Sequence, residues 1–321
     1  MSDERKKVLE AVHIKKYFPV KGVLSKTKSV LKAVDDVSIE IYEGETLGIV
    51  GETGCGKSTL GRTVLKLTEP TQGQIKLLSE DITNYSEARL RKLRQKMQIV
   101  FQDPYTSLNP RIQIGHALEE ILTIHKIEGD RKQRVLDILK QVGLSKEIYH
   151  RYPHEFSGGQ RQRIGIARAL ILNPSLLVCD EAVSALDVSI QAQIINLLMH
   201  LKEERKLAYL FISHDISVVR HVSDRIAVMY LGHIIEEGET QELINHPTHP
   251  YTKSLLSSVP RMIPHSGKNR IVLKGEVPSP INPPSGCVFH TRCPYATEKC
   301  RNEIPNAEKV NEKHVVWCHQ R

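Results

Sequence analysis

Aromatic residues and long apolar runs are both scarce in this sequence. Phe, Trp and Tyr make up 5% of the 321 residues, with a single Trp, and they are not interleaved with basic residues as on nucleic-acid-binding surfaces. No stretch approaches the roughly 20 apolar residues that a membrane-spanning helix requires. The segment from Met1 to Lys7 lacks the apolar core of a secretory signal. The sequence therefore predicts a soluble protein of the cytosol, and its aromatic residues give no support to nucleic-acid binding.

The charge balance is basic, with a net charge of +8 and an isoelectric point near 9.1. Such a balance suits nucleic acid, an anionic membrane surface or a polyphosphate ligand. It is equally compatible with a basic protein that binds none of them. The 40% hydrophobic and 26% charged content is that of a globular chain. At this length we expect one large α/β domain with an appendage, or two modest domains.

Apolar strand-like runs alternate with amphipathic helical runs through most of the chain, which predicts an α/β fold. We expect strands at residues 8–16, 38–42, 46–50, 96–101, 176–179, 208–212 and 225–230. We expect helices at 57–67, 164–172, 189–205 and 216–222, and a mainly helical stretch over 112–172. This helical stretch lies between two α/β portions and predicts an inserted subdomain. Residues 21–32 are expected to form a surface loop, and the Pro-, Gly- and Ser-rich residues 260–284 a linker.

A phosphate-binding loop is the first motif that carries chemistry. The sequence matches G-x-x-x-x-G-K-[ST] in full, with the residues Gly51, Glu52, Thr53, Gly54, Cys55, Gly56, Lys57 and Ser58. The N–H groups of such a loop, with the positive end of the following helix, suit a β-phosphate. Lys57 is expected to reach the β- and γ-phosphates and Ser58 to bind Mg²⁺. Thr59, the next residue, is also expected to belong to the nucleotide site.

Two acidic residues, Asp180 and Glu181, end an apolar strand-like run. Neighbouring residues of a strand point to opposite sides, so the two carboxylates can take different roles. We expect Asp180 to hold Mg²⁺, directly or through water, and Glu181 to orient or deprotonate an attacking water. An acidic pair after a strand is a weak signal alone and becomes strong beside a phosphate-binding loop.

A third motif, Phe156-Ser157-Gly158-Gly159-Gln160, precedes the first of these acids. It resembles the signature sequence of ATP-binding cassette (ABC) proteins, with Phe in place of the leading Leu. The Ser157 hydroxyl and the amides of Gly158 and Gly159, at a helix N-terminus, would form a second anion site. The resemblance implies that this site caps the γ-phosphate held by a partner subunit, so that ATP joins two cassettes. It also implies a RecA-like α/β core with an inserted helical subdomain.

Four further positions match elements of the same family. Gln102 resembles the loop glutamine that contacts Mg²⁺, and Asp187 belongs to the loop that communicates across the dimer. His214 resembles the switch histidine at the γ-phosphate. Tyr17 resembles the aromatic residue that stacks on adenine, with Phe18 as the lesser candidate.

Residues 101–111, 151–156 and 184–193 are similar to the ATPases of oligopeptide/dipeptide permeases. The combination is similar to the second of the two ATPase subunits that these importers carry, with Ala182 as a departure where a proline commonly follows the acidic pair. The resemblance implies a second ATPase subunit, or a second copy of this chain, as partner. It also implies two membrane permeases, toward which Gln160 and the helical subdomain would face, and an external peptide-binding protein that acts indirectly. We expect an ABC ATPase domain at residues 1–261, with its helical subdomain at about 105–173, and a small irregular C-terminal domain at 262–321.

The C-terminal region carries four cysteines, Cys287, Cys293, Cys300 and Cys318, spaced C-x5-C-x6-C-x17-C. Short C-x-x-C pairs, typical of structural zinc ribbons, are absent. Four thiolates suffice for a [4Fe–4S] cluster, and the resemblance implies one because some peptide-permease ATPases hold it in such a tail. Zinc, unliganded thiols and disulfides remain alternatives. Nearby histidines that could serve as ligands instead are His290, His314 and His319.

The sequence thus predicts a peripheral subunit, on the cytoplasmic face of the cell membrane, that hydrolyses ATP to drive di- or oligopeptide import. Its cofactors would be ATP, Mg²⁺ and the [4Fe–4S] cluster, with Glu181, His214 and Lys57 as catalytic residues. One alternative is an ABC ATPase that acts on nucleic acid or the ribosome, which would be expected to carry a long coiled-coil insertion or two cassettes. Another is an importer subunit for nickel or glutathione, and a third is a cassette that binds ATP without hydrolysing it.

Overall fold

The computed structural model describes residues 5–20, 29–103, 108–258 and 271–320. Some of the predictions from sequence concern residues outside these ranges. They are most of the expected loop at 21–32, residues 104–107 of the 101–111 segment, and the domain boundary at 261/262. The strands are β1 (Lys7–Val20), β2 (Ser29–Tyr42), β3 (Thr46–Val50), β4 (Gln72–Leu77), β5 (Glu80–Asp81), β6 (Met97–Val100), β7 (Leu176–Asp180), β8 (Ala208–Ser213), β9 (Arg225–Tyr230), β10 (His233–Glu239), β11 (Glu308–Asn311) and β12 (His314–Val316). The helices are α1 (Lys57–Val64), α2 (Glu87–Leu93), α3 (Ile114–Ile124), α4 (Arg131–Gln141), α5 (Gly158–Leu170), α6 (Val188–Arg205), α7 (Ile216–Val222), α8 (Thr240–Asn245), α9 (Pro250–Ser257) and α10 (Glu298–Asn302).

The chain divides into two compact units. The first comprises Met1–Leu9, Ile41–Glu45 and Leu78–Phe211, and the second comprises Glu10–Glu40, Thr46–Leu77 and Ile212–Arg321. Helices α2 to α6 lie in the first unit, as do strands β6 and β7. The second unit contains the phosphate-loop strand β3 and everything that follows β8. The division into domains at 261/262 stays a prediction.

In the second unit, five strands are neighbours in the order β11-β12-β10-β9-β3. Strand β3 is parallel to β9, with Val50 opposite Val228, so the segments that follow these two strands leave from the same edge of the sheet. All five residues of β3 are buried. Helix α7 packs so closely on β3 that a Cβ added to Gly48 would lie 2.2 Å from Val219 Cγ1.

In the first unit, β6 and β7 run parallel, with Val100 opposite Cys179. All five residues of β7 are buried, and burial together with the neighbouring Asp180 raises the pKa of the Cys179 thiol to about 12. Helices α3, α4 and α5 form the expected helical stretch, with short 3₁₀ turns at Lys146–His150 and Pro153–Glu155. Gly129 lies between α3 and α4 with a φ of 97°, a left-handed conformation that glycine adopts without strain.

Several predicted elements are confirmed, and others need correction. The strands at 46–50 and 225–230 and the helix at 216–222 have the predicted bounds. Helix α1 ends at Val64 instead of residue 67, because Lys66 adopts a left-handed φ of 54°. Helix α5 begins at Gly158 instead of residue 164, because Ser157 caps it. Strand β2 begins at Ser29, so residues 29–32 are not loop.

The C-terminal region contains regular elements in addition to irregular segments. Helix α10 and strands β11 and β12 lie there, and β12 pairs antiparallel with β10, with His314 opposite Gly238. The His314 Nε2–H donates to the buried Glu236 carboxylate at 2.8 Å. No helix in the described part of the chain has both the length and the apolar character that crossing a bilayer requires.

Candidate functional site

The phosphate-loop sequence, residues 51–58, joins the buried strand β3 to helix α1 in the second unit. Gly56 caps the start of α1 with a φ of 107°, and a Cβ at this position would lie only 2.0 Å from the Ala33 carbonyl oxygen. Gly54 also has a positive φ, 83°, but faces open space. Glycine at 56 is therefore required both by backbone conformation and by the close approach of β2.

Lys57 is the central side chain of this loop and is only 4% exposed. Its Nζ donates to the carbonyl oxygens of Gly51, at 2.8 Å, and Glu52, at 3.1 Å. The ammonium group and the N-terminus of α1 make the loop electropositive, which suits a phosphate group. Ser58 and Thr59 follow in the first turn of the helix. Cys55 is buried, and burial raises the pKa of its thiol, so it acts as a packing residue.

Glu52 is held by residues that the sequence motif did not indicate. Its backbone N–H donates to the Tyr251 hydroxyl at 2.9 Å, and its carboxylate accepts from Arg292 Nη1 at 2.8 Å. Its carbonyl oxygen accepts from the Cys55 N–H at 3.3 Å. Tyr251 and Arg292 are 199 and 240 residues away along the chain, and neither belongs to a recognisable motif.

Tyr17, the candidate adenine-stacking residue, is anchored at its hydroxyl. The hydroxyl donates to Asp35, which also accepts from Lys32 Nζ at 3.2 Å. Burial and the Asp35 carboxylate raise the pKa of Tyr17, so the phenol stays a proton donor. Burial opposes ionisation of Asp35, but the hydrogen bonds from Tyr17 and Lys32 outweigh it and lower the pKa of this carboxyl. Phe18 is exposed and lacks such an anchor.

Strand β2 therefore connects two parts of the candidate nucleotide site within the second unit. Its residue Ala33 lies against Gly56 of the phosphate loop, and its residue Asp35 binds the Tyr17 hydroxyl. The sequence alone does not identify Asp35 as a site residue. In a strand of alternating polar and apolar residues, the pattern does not distinguish an acidic residue with a specific partner from one that faces solvent.

The acidic pair lies at the end of β7 in the first unit. Asp180 is buried at 4% exposure, whereas Glu181 is half-buried and adopts a left-handed φ of 51°. This backbone conformation costs a non-glycine residue roughly 1–2 kcal/mol, and such strain is typical of functional turns. The turn is closed by Ser184, whose N–H and hydroxyl both donate to the Glu181 carbonyl, at 3.1 and 2.9 Å. Ala182, which stands where a proline commonly follows the acidic pair in the family that the sequence resembles, is buried in this turn.

Gln102 follows β6 and is exposed. Because β6 and β7 are parallel with Val100 opposite Cys179, the segments carrying Gln102 and Asp180 leave the same edge of the sheet. The structure therefore brings these two candidate Mg²⁺ ligands to one edge of the first unit. The neighbouring Phe101 carbonyl accepts from Gln162 Nε2 of α5 at 3.5 Å.

The signature motif forms the N-terminus of α5 in the first unit. Ser157 and Gln160 form a capping box, in which Ser157 Oγ accepts the Gln160 N–H at 3.5 Å and Gln160 Oε1 accepts the Ser157 N–H at 3.2 Å. Both residues are exposed. Gly159 lies close against α6: a Cβ added to it would be only 2.5 Å from Ile190 Cγ2. A Cβ added to Gly158 would meet nothing closer than 3.6 Å.

Asp187 and His214 are both exposed, in the first and second unit respectively. Asp187 is the N-cap residue of α6, and its carbonyl accepts the Gln191 N–H at 2.8 Å. His214 lies between β8 and α7, where Asp215 caps the helix by accepting the Ser217 N–H at 2.8 Å. The turn around His214 is thus fixed by its neighbours, while its imidazole faces outward.

The four C-terminal cysteines lie near one another in the second unit. Cys287, Cys300 and Cys318 are buried and Cys293 is half-buried, and none forms a disulfide. Burial, followed by the proximity of the other three thiols, raises the pKa of Cys287 to about 11. Two sulfurs also have polar neighbours: Cys318 accepts the Gln320 N–H at 3.3 Å, and the Thr297 hydroxyl lies 3.3 Å from Cys300 Sγ.

Across the described ranges, no three or more His, Cys, Asp or Glu residues form a group that could hold a metal ion. The three histidines that were alternative ligands are engaged elsewhere. His290 Nδ1 bonds to the Cys287 carbonyl at 2.9 Å, His319 Nε2 bonds to the Glu303 carbonyl at 3.0 Å, and His314 binds Glu236. The thiols are thus adjacent to one another without being in ligand geometry.

Comparison with known families gives two matches along the chain. The family described as "ABC transporter" matches residues 34–184. The family described as "Oligopeptide/dipeptide transporter, C-terminal region" matches residues 235–300. The first match contains the phosphate loop, signature motif and acidic pair, and the second contains three of the four clustered cysteines.

Curated relatives align with nearly the whole chain. The oligopeptide transport ATP-binding protein AppF of Bacillus subtilis is 55% identical over 97% of both chains. The dipeptide transport ATP-binding protein DppF of Haemophilus influenzae is 51% identical over 98% of this chain and 97% of its own length. The oligopeptide transport ATP-binding protein OppF of Escherichia coli is 48% identical over 99% and 97%.

Solved structures of similar fold are ATP-binding cassettes. The cassette MJ0796, solved as a dimer in a post-hydrolysis state bound to ADP and Pi, has a TM-score of 0.65 and 29% identity over 72% of this chain and 98% of its own. The protein cbiO1 of Clostridium perfringens, part of the ABC transporter complex cbiONQ, has a TM-score of 0.65 and 27% identity over 75% and 92%.

Proposed function

This chain belongs to the ABC transporter family, in its oligopeptide/dipeptide branch, and from that premise we propose that it hydrolyses ATP to drive the import of di- or oligopeptides. The observation that carries the proposal is the combination, in one chain, of an ABC match at residues 34–184 and a peptide-transporter C-terminal match at 235–300. Relatives named for oligopeptide or dipeptide transport support peptides over nickel, glutathione or nucleic acid as the substrate class.

ATP binding is assigned to the second unit. The loop amides of residues 51–58 and the Lys57 ammonium take the phosphates, and the ammonium exchanges its carbonyl partners in the loop for phosphate oxygens. The Tyr17 ring stacks on adenine, with its hydroxyl fixed by Asp35. His214 contacts the γ-phosphate.

Hydrolysis is assigned mainly to the first unit. In the first unit, Gln102 and Asp180 offer amide and carboxylate oxygens, and in the second unit Ser58 offers a hydroxyl oxygen. Each is a donor type that Mg²⁺ prefers, so each is proposed as a ligand of the ion. When bound, Mg²⁺ neutralises charge on the β- and γ-phosphate oxygens. Glu181 orients and deprotonates the attacking water from its strained turn after β7.

The exposed signature turn is proposed as the contact with a second cassette. Ser157, Gly158 and Gly159 would cap the γ-phosphate of ATP bound to that cassette, and Asp187 would report the state of the dimer interface. The second cassette is a non-identical ATPase subunit or another copy of this chain. The proposed complex also contains two membrane permeases, and an external peptide-binding protein acts with it indirectly. This chain lies on the cytoplasmic face of the membrane. Residues 262–321 are proposed as its C-terminal domain.

A test of the ATPase assignment is the variant Glu181→Gln. We expect it to bind ATP with wild-type affinity and to lose turnover by roughly 10²- to 10⁴-fold, because the general base is removed. Glu204→Gln, an exposed residue on α6, is the matched control. Phosphate release and nucleotide retention are measured on both, and labelled dipeptide uptake is measured in cells that carry each variant in place of the natural chain. Normal turnover or normal uptake with Glu181→Gln would contradict the proposal.

The four clustered cysteines are proposed as ligands of a [4Fe–4S] cluster. Three buried thiols and the half-buried Cys293 lie close together, and one sulfur has a backbone N–H donor. Four thiolates fit such a group in chemistry, and their arrangement must change to bind it. When bound, the cluster supplies a structural or redox-sensing centre remote from hydrolysis.

Iron and acid-labile sulfide, with zinc alongside, are measured in anaerobically purified protein. We expect near-stoichiometric iron and sulfide that are lost in Cys293→Ser and retained in Cys179→Ala, where the missing thiol belongs to β7. Zinc alone, or no metal, would refute the cluster and leave the ATPase assignment standing.

A further inference from the structure

Arg292 and Glu52 form an ion pair within the second unit that joins the C-terminal region to the phosphate loop. Arg292 Nη1 lies 2.8 Å from Glu52 Oε2, and the two side chains are only 9% and 27% exposed. A pair this sheltered from water is screened far less than a surface pair. The Arg292–Glu52 pair therefore contributes to the electrostatics of the phosphate loop.

The guanidinium group is held in place by an aromatic cluster. The Arg292 backbone N–H donates to the Phe289 carbonyl at 3.0 Å, and Phe289 packs edge-on against Tyr230 and Tyr251 at ring-centroid distances of 5.2 and 5.4 Å. The Arg292 guanidinium lies 5.9 Å from the centroid of the Tyr230 ring. Since these aromatic residues are fully buried, Arg292 has little freedom to leave Glu52.

The charge of Glu52 creates a problem for a loop that binds a polyanion. Its carbonyl oxygen is 3.1 Å from Lys57 Nζ, so its carboxylate is attached to the segment that meets the phosphates. An unpaired carboxylate there would repel ATP and would compete for the Lys57 ammonium. Arg292 offsets that charge from a different part of the chain.

We propose that Arg292 is a positioning residue of the nucleotide site: it neutralises Glu52 so that the phosphate loop can bind the triphosphate. The inference rests on the proposed function, since it assumes that the loop binds ATP. It adds a specific contribution of the C-terminal region to nucleotide affinity. Arg292 does not touch ATP; it acts through Glu52.

The test compares five variants of the full chain by titration with the fluorescent analogue methylanthraniloyl-ATP. Arg292→Gln should raise the Kd about tenfold, because the Glu52 charge is exposed to the phosphates. Glu52→Gln should lower the Kd, because the cation then remains unpaired beside them. The double variant Glu52→Gln/Arg292→Gln should return close to the wild-type Kd, and Arg292→Lys should retain most of the affinity. Arg301→Gln, an exposed residue of α10, is the charge-matched control.

The sign of the Glu52→Gln effect separates charge compensation from a structural brace. If the pair only braces the loop, Glu52→Gln will weaken binding as much as Arg292→Gln, and the double variant will not recover; that result overturns the proposal. The ratio of the Arg292→Gln Kd to the wild-type Kd should also shrink at high salt, because screening weakens repulsion. Equal affinity of Arg292→Gln and wild type would likewise refute it.

The titration distinguishes failure of the proposed function from failure of the proposed role of Arg292. If the wild-type chain binds no nucleotide, the proposed function fails. If the wild-type chain binds nucleotide and the variants do not follow the predicted signs, only the role of Arg292 fails. Should Arg292→Gln not fold, Glu52→Gln, the double variant and Arg292→Lys still decide the question, because their predicted order differs between the two explanations.

Discussion

The Tyr251 hydroxyl accepts the backbone N–H of Glu52 at 2.9 Å, although 199 residues separate the two in sequence. Tyr251 is fully buried on α9, and it fixes the first variable position of the phosphate loop from outside the motif. The shape of the loop thus depends on a helix that a motif search would assign no role.

Replacing Tyr251 with Phe removes this acceptor and leaves the ring in place. We expect the free energy of unfolding to fall by about 1 kcal/mol and ATP binding to weaken, since the Glu52 N–H loses its partner. Tyr209→Phe, which removes a hydroxyl bonded to the Leu198 carbonyl in the first unit, should lose stability without a direct loss of ATP affinity. Urea denaturation and nucleotide titration measure both effects. Unchanged stability and affinity in Tyr251→Phe would show that the hydrogen bond contributes nothing.

Alanine at Gly56 and alanine at Gly54 should have unequal effects. Both positions have a positive φ, so each substitution costs roughly 1–2 kcal/mol of backbone strain. Only at Gly56 would the new Cβ also collide with main chain, 2.0 Å from the Ala33 carbonyl oxygen. We therefore expect Gly56→Ala to abolish nucleotide binding and to lower the unfolding temperature more than Gly54→Ala. Equal melting temperatures for the two variants would contradict this account of the loop.

The two signature glycines offer a second matched pair. A Cβ at Gly159 would lie 2.5 Å from the branched Ile190 side chain, whereas a Cβ at Gly158 would be in ordinary contact at 3.6 Å from Leu186. Gly159→Ala should destabilise the protein by about 1–3 kcal/mol through overpacking, and Gly158→Ala should cost less than half of that. Chemical denaturation compares them. If Gly158→Ala proves the more destabilising, the packing of α5 against α6 is not as described.

His249 should make stability depend on pH. Burial depresses the pKa of His249 from 6.5 to about 4, and its Nδ1 accepts the Tyr251 N–H at 3.1 Å as the cap of α9. The unfolded chain therefore binds a proton at higher pH than the folded chain. The stabilisation is complete above about pH 6.5 and is lost as the pH falls toward 4, by roughly 2 kcal/mol at about pH 5.

His249→Asn keeps a capping acceptor and removes the titrating group. Between about pH 7 and about pH 5, the variant should lose roughly 2 kcal/mol less unfolding free energy than the wild type. Urea denaturation at the two pH values gives the comparison. Parallel pH profiles for the two proteins would mean that His249 is not the responsible group.

The elements that could be predicted from sequence are those whose signal is local. Strand β3 and helix α7 have the predicted bounds because an apolar run and a helical period are each complete within a few residues. The signature helix was placed too late, because the glycines at 158 and 159 look unfavourable for a helix until the Ser157–Gln160 capping box is recognised.

The partners that hold the site in place could not be predicted, because they depend on the tertiary fold. Nothing near Asp35 indicates that it will bind Tyr17, and nothing near Arg292 indicates Glu52. Strand β12 was not predicted because only three residues form it. It is stabilised by pairing with β10, and its own sequence pattern is too short to indicate a strand.

The burial of Glu236 has a consequence for the order in which the chain folds during synthesis. Its carboxylate is fully buried and receives the His314 Nε2–H, which lies 78 residues later. A ribosome therefore delivers β10 well before the strand that carries this partner. Until residue 316 has emerged, the Glu236 carboxylate lacks the imidazole and has the backbone N–H groups of Thr248 and His249 as partners, at 2.6 and 3.1 Å. Burying the charge without the histidine is costly. We therefore expect this edge of the sheet to complete its packing only after β12 has been translated, so a chain interrupted before that point leaves the β12-facing edge of β10 unpaired.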